Sequence, residues 1–199
     1  MTGSSHMGPL SGMPSPHRIA GNIALDFANT ISWRGTAREA DQLATADALR
    51  HWLRVSGLRA TDAATAPDPD PTLAAAHALR AAITRIGSAI ANGASPPDDA
   101  LNDLRDAAAA ALSRAQLGGM PLRPQFDTAE QALGSIAWSA LDLFSSDEVA
   151  RIKECPFSDC HWLFVDRSKN GSRRWCDMAT CGNRAKKQAM AAHDNSAAG

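Results

Sequence analysis

Four cysteines, the only ones in the 199-residue chain, stand within 27 residues near its C-terminus, and no other feature constrains the fold so tightly. Cys155 and Cys160 form one C-x4-C pair, fifteen residues follow, and Cys176 and Cys181 form a second C-x4-C pair. Two close pairs around a hairpin-sized insert are the way a chain assembles a tetrahedral zinc site, with each thiolate about 2.3 Å from the metal. The competing arrangement is two disulfides, which persist in oxidising compartments. The N-terminus carries no charged-then-apolar export pattern, so a cytoplasmic chain with reduced thiols is expected. Four protein thiolates leave zinc no open coordination position, so one structural zinc ion is expected and hydrolytic chemistry is not. With no nucleophile-and-base pattern elsewhere, the chain is expected not to be an enzyme.

Between the pairs, "HWLFVD" has strand composition, "RSKNGSRR" is a turn with Asn170-Gly171 at its tip, and "RWC" is expected to return as the second strand. The residues after Cys181, "GNRAKKQAMAAH", favour a helix, which would put the last ligand at a helix N-terminus. Pair, hairpin, then pair and helix resembles a treble-clef zinc finger. So short a segment builds little core, and Phe157, Trp162, Phe164 and Trp175 would have to hold it together with the metal. His161 adjoins Cys160, but adjacent residues rarely both face one metal, so it is left out of the ligand set.

Upstream the pattern is helical. "GNIALDFANTISW" places Leu25, Ala28 and Ile31 at helical spacing, and "TADALRHWLRVSG" offers Thr45 or Asp47 as a cap, an apolar face of Leu49, Trp52, Leu53 and Val55 to Leu58, and Gly57 as a terminator. "APDPDPT" reads as a connector into a long amphipathic helix, "TLAAAHALRAAITRIGSAIANG". "SPPDDALNDLRDAAAAALSRAQLGG" reads as a helix capped by Ser95 and ended by Gly118-Gly119. "DTAEQALGSIAWSALDLFSS" is the most apolar helix, with Asp127 or Thr128 and Glu130 as its capping group, and a short helix is expected from Ser146. The expected fold is therefore mainly α, an all-α N-terminal domain followed by the small finger with its β-hairpin and helix, whose cores look separate. The Gly/Ser-rich opening resembles a cloning remnant, so 1–16 is set aside as a disordered tag or tail; 19–147 is the helical domain, 150–193 the finger and 194–199 a disordered tail.

The net charge of -1 conceals an asymmetry. Residues 151–193 hold nine Lys/Arg against four Asp/Glu, leaving eleven against seventeen elsewhere. Zinc with four thiolates would trim the finger from +5 to about +3, a modest excess beside strongly basic DNA-binding modules. Arg167, Lys169, Arg173, Arg174, Arg184, Lys186 and Lys187 are the candidate nucleic-acid contacts, to phosphates and, through an arginine at the helix start, to guanine edges. The alternative is a solvated surface whose arginines pair with the acidic helical domain. In the N-terminal helix Asp26, Asn29 and Thr30 recur at i, i+3 and i+4, on one face. They either satisfy neighbouring backbone or line an effector pocket with Trp33 and Arg34 at its mouth.

The wording "DRSKNGSRRWCDMATCGNRAK", with Cys181-Gly182-Asn183-Arg184 inside it, resembles the CGNR zinc finger, and "GNIALDFANT" resembles the start of the ABATE domain that precedes such fingers. Together the resemblance covers about Gly21 to His193. It implies a bacterial, stress-linked transcription regulator whose finger binds DNA and whose helical domain senses a small molecule or a partner. His161 stands where a small residue such as glycine is expected, and the tail "AKKQAMAAHDNSAAG" is poorer in arginine than the family's basic C-termini. A zinc-stapled protein-interaction module is the alternative function. Because one finger covers little DNA, a DNA-binding form is expected to be a homodimer.

Overall fold

Asn22 starts the first helix of the computed structural model, which describes residues 18–58, 69–125 and 129–197. Its backbone is extended and its side-chain oxygen accepts from the Ala24 N–H at 2.8 Å, satisfying a donor that the first turn leaves open. Helix α1 spans Ile23–Ala28. It ends sooner than the spacing of Ile31 suggests, because Thr30 Oγ1 donates to the Phe27 carbonyl at 2.7 Å and the Thr30 carbonyl accepts from Gln42 N–H at 2.9 Å. Ile31 instead enters β1 (Ile31–Ser32), antiparallel to β2 (Ala40–Asp41). This pair is an addition to the all-helical reading of the N-terminal part.

Helix α2 spans Ala46–Val55, with Thr45 Oγ1 accepting from Ala48 N–H at 3.1 Å and Gly57 closing the end at a left-handed φ of 73°. Leu49, Trp52 and Leu53 point inward, whereas Val55 is exposed. Helix α3, Pro69–Ala91, begins inside the expected proline connector, since Pro in a first turn forfeits no hydrogen bond. Helix α4, Asp98–Leu112, has Pro97 at its N-cap with no side-chain bond, so Ser95 does not cap it. Asp98 and Asp99 complement the helix dipole instead. The chain then leaves the helix earlier than expected for a hairpin, β3 (Gln116–Gly118) and β4 (Arg123–Gln125), turned at Gly119 with φ 84°. Helix α5 spans Ala129–Phe144; its expected caps, Asp127 and Thr128, lie outside the described residues, as does 1–16. Ser146 caps a 3-10 turn, Asp147–Arg151, by accepting from Glu148 N–H at 3.2 Å. No described helix is long and apolar enough to cross a membrane.

Strand β5 (Ile152–Glu154) pairs antiparallel with β6 (Leu163–Val165), Lys153 opposite Phe164. The hairpin of the finger therefore precedes the expected one: "RWC" is no strand. Its carbonyls are already spent on a side chain, those of Trp175, at 3.0 Å, and Cys176 both accepting from the Arg173 guanidinium, while the Arg173 backbone just before it is held by Asp166 and Lys153. Helix α6 (Asn183–Ala197) closes the fold, running on into residues expected as a tail.

All three residues of β6 are buried, against α1 and α3. Leu25 and Phe27 of α1, Ile83 and Ile86 of α3, Ile136 of α5 and Leu163, Phe164 and Val165 of β6 belong to one contiguous core. The expectation of two separate cores is thus corrected. Gly87 eases the contact: a Cβ there would lie 2.6 Å from Leu163 Cδ1, so any larger residue would force the buried Leu163 side chain to shift.

Candidate metal centre and its basic surface

The tip of the β5–β6 hairpin presents Cys155 and Cys160. Cys155 N–H donates to the Trp162 carbonyl at 2.9 Å and Cys160 N–H to the Phe157 carbonyl at 3.0 Å, folding the intervening residues into a tight knuckle. His161 takes φ 56° there, the left-handed region that favours glycine, which gives the expectation of a small residue its physical meaning. Its ring nitrogens face Glu154 Oε1 at 2.7 Å and the Ser158 carbonyl at 3.1 Å, away from any metal. Cys176 follows the loop, and Cys181 sits in a five-residue π turn, Met178–Gly182, that leads into α6. Asp177 caps this turn by accepting from Thr180 N–H at 3.1 Å.

The four sulfurs lie within 4.8 Å of one another and all four residues are buried. Cys160 and Cys176 are 3.6 Å apart and Cys176 and Cys181 3.7 Å, far beyond a disulfide. A tetrahedron with metal–sulfur bonds of about 2.3 Å has edges of about 3.8 Å, so the spacing matches zinc. Left to themselves the thiols cannot all ionise. Hydrogen bonds from Cys160 and Cys176, helped by the N–H groups of Cys176 and Phe157, hold Cys155 down at about 2. The hydrogen bond to Cys155 in turn pushes Cys160 up to about 12, hydrogen bonds to Cys155 and Cys160 together with burial raise Cys176, and burial first and then the charge of Cys155 raise Cys181. A divalent cation relieves that conflict by coordinating all four thiolates and offsetting half of their charge. The residues fit one structural zinc ion, held by Cys155, Cys160, Cys176 and Cys181.

The seven candidate cations divide sharply. Arg167 makes a bidentate pair with Glu148 at 2.6 and 2.8 Å and donates to the Gly21 carbonyl at 2.8 Å. Arg173 donates to the carbonyls of Ile19 at 2.9 Å, Trp175 at 3.0 Å and Cys176, and lies 4.3 Å over the Phe164 ring. Arg184 pairs with Asp159 at 2.6 and 2.9 Å and stacks on Phe157 and Trp33 at 4.3 and 5.0 Å. These three guanidiniums are committed within the chain. Lys169, Arg174, Lys186 and Lys187 are exposed, and among the described residues none forms an ion pair; Arg174 only stacks on Trp175 at 5.5 Å.

Sequence reasoning did not find Asp159, Asp166 or Lys153. Asp166 is 1% exposed and accepts from Lys153 at 2.6 Å, Ser168 at 2.6 and 3.0 Å and Arg173 N–H, so it organises the loop before Cys176. Those bonds, Lys153 first, hold its carboxyl well below the usual carboxylate range. The D-x-x-T signature of Asp177 was readable as a cap. The Arg184–Asp159 pair, 25 residues apart, left no comparable trace.

The proposed effector face is likewise engaged. Asp26 accepts from Ala20 N–H at 2.9 Å, and Thr30 accepts from Arg80 at 3.1 Å while donating to Phe27. Asn29 bonds both backbone groups of Leu163, donating to the carbonyl at 2.8 Å and accepting from the N–H at 2.9 Å. Arg34 donates to the Ala28 carbonyl at 3.3 Å, and burial first, then the charge of Arg80, hold its guanidinium below its ordinary value. Trp33, at φ 56°, stands apart from this trio, with Arg38 4.1 Å over its ring. It borders a cleft of about 180 Å³ between the β1–β2 loop and the metal centre, which Ser32, Trp162, Arg184, Cys160, Cys176 and Cys181 also line.

Two family models match the chain. The one described as "ABATE: Putative stress-induced transcription regulator" matches residues 21–147, and the one described as "CGNR zinc finger" matches residues 151–193. No curated protein matches.

Proposed function

We propose that the chain, which belongs to the ABATE family and carries a CGNR zinc finger, regulates transcription by binding DNA through the outer face of that finger. The observation that carries this reading is the set of four exposed cations that form no ion pair among the described residues, Lys169 and Arg174 on the loop between the cysteine pairs and Lys186 and Lys187 on α6. Phosphate contacts come from these lysines, and Arg174 is the arginine open to a guanine edge. Arg167, Arg173 and Arg184 take the supporting role, fixing the finger to the rest of the chain and to itself. The zinc crosslinks hairpin to helix and takes no part in any reaction, so the protein is read as a non-enzymatic, cytoplasmic regulator. The helical domain is read as the sensing part, for a small molecule or a protein partner, with its signal reaching the finger through the Asn29–Leu163 bonds. A single module covers only about 600–1,000 Å² on DNA, so the DNA-bound form is read as a homodimer.

A salt titration against duplex DNA tests the reading. Each phosphate contact contributes about -0.9 to the slope of log affinity against log salt, so four per finger give roughly -3 to -4. Lys186→Ala/Lys187→Ala should flatten the slope by about 2 per finger while zinc content stays unchanged. Absence of binding near roughly 50 mM salt would instead favour a zinc-stapled protein-interaction module. The Arg167–Glu148 pair and the Arg173–Ile19 bond favour that second reading, because they show finger cations docked on the chain's own surface.

A further inference from the structure

We propose that the cleft beside the metal centre is the route by which a small peroxide reaches the cysteine sulfurs, and that the product is a disulfide joining Cys176 to Cys160 or Cys181. The cleft, of about 180 Å³, is several times the share of a single water in liquid, about 30 Å³, so a two-oxygen molecule enters with room to orient. Three of the four ligand residues line it, and Cys155, at 0% exposure, does not. The three are themselves little exposed, at 8% for Cys160, 1% for Cys176 and 4% for Cys181, and the cleft is an opening that all three share. A metal-ligating cysteine is held as the thiolate, which is the form that reacts with peroxide. Arg184, whose guanidinium is held by Asp159, lines the same cleft and adds a positive charge to its wall.

The chemistry balances on the sulfurs. One thiolate attacks a peroxide oxygen, the O–O bond breaks, and hydroxide departs, taking up a proton to become water and leaving a sulfenic acid. A second thiolate attacks that sulfur, expels hydroxide, which is again protonated, and closes the S–S bond. Two thiolates, hydrogen peroxide and two protons thus become one disulfide and two waters, with two electrons passing from sulfur to oxygen. Cys176 is the common partner because its sulfur lies 3.6 Å from Cys160 and 3.7 Å from Cys181, and closure to about 2.05 Å needs only side-chain movement and a local shift. Two remaining thiolates hold zinc poorly, so oxidation releases the metal. Cys181 lies in the turn that starts α6, and α6 carries Lys186 and Lys187, so release would loosen the candidate DNA face. That last consequence rests on the proposed function; the oxidation does not.

The experiment uses the zinc-loaded full-length chain treated with hydrogen peroxide, with a metallochromic dye to count zinc and alkylation followed by peptide mapping to locate disulfides. The expected result is one zinc released per disulfide, Cys176 in that disulfide and Cys155 recovered alkylated. A principal product containing Cys155, or sulfinic and sulfonic acids without a disulfide, overturns the proposal. Ser32→Trp should fill the mouth of the cleft and slow zinc release about tenfold, since susceptibility follows access. Trp33→Ala, which widens it, should speed release several-fold and serves if the first variant loads no zinc. Rates equal to that of the unmodified chain in the zinc-loaded variants would show that the cleft is not the route. DNA binding can fail without touching any of these readouts.

Discussion

Asn29 ties the two halves of the chain together through one amide group, beside the arginine bonds and the shared core. It is 3% exposed and bonds both the N–H and the carbonyl of Leu163, completing the outer edge of β6 as a neighbouring strand would. Truncation to alanine would strand two buried backbone groups at about 1–3 kcal/mol each, so Asn29→Ala should cost roughly 2–6 kcal/mol in chemical denaturation. A loss below about 0.5 kcal/mol would mean that water replaces the amide. The sequence marked Asn29 as a polar residue on an apolar face, which is a local fact, but its partner is 134 residues away. The finger arginines repeat the lesson. Their charge was legible, yet whether each guanidinium met a phosphate or a carbonyl of its own chain depended on where Ile19, Gly21, Glu148 and Asp159 came to rest.

The elements whose ends are set by adjacent residues were the readable ones. Thr45, Gly57 and Ser146 act where their side chains or backbone freedom suggested. The hairpin of the finger was misplaced because strand composition shows that a segment wants a partner and not which partner it takes; "LFV" pairs with "IKE" upstream once Asp166 and Lys153 have claimed the loop downstream. Gly87 tests how tightly that hairpin is seated. Alanine is the better helix former by about 1 kcal/mol, yet its Cβ would meet Leu163 Cδ1 at 2.6 Å in a filled core. Overpacking of this kind costs about 1–3 kcal/mol, so Gly87→Ala should lower the denaturant midpoint despite the helix gain. With Leu163→Ala as background the same change should be neutral or favourable, and additive costs in the double variant would show that the contact is not the cause.

At the scale of the molecule, the shared core makes the metal a stability element for the whole chain. Removing one ligand, as in Cys176→Ser, or stripping zinc with a chelator should lower the melting temperature in a single transition. Helical circular dichroism and tryptophan fluorescence should report it together, because β6 is common to finger and bundle. Two resolved transitions, with the helical signal unmoved at the first, would show that the halves unfold independently.

The ligand set, the helical character of the N-terminal part and the family resemblance were all determined by the sequence alone, for one physical reason. Thiol spacing, capping side chains and turn glycines act through the few residues on either side of them, so their meaning survives without coordinates. What only the tertiary structure decided is which polar groups remain free. Arg173 is withdrawn from solvent by a carbonyl 154 residues away, and Asn29 is spent on β6, while Lys169, Arg174, Lys186 and Lys187 are left outside. Burial and hydrogen-bond satisfaction are settled between distant segments, and no local periodicity encodes them.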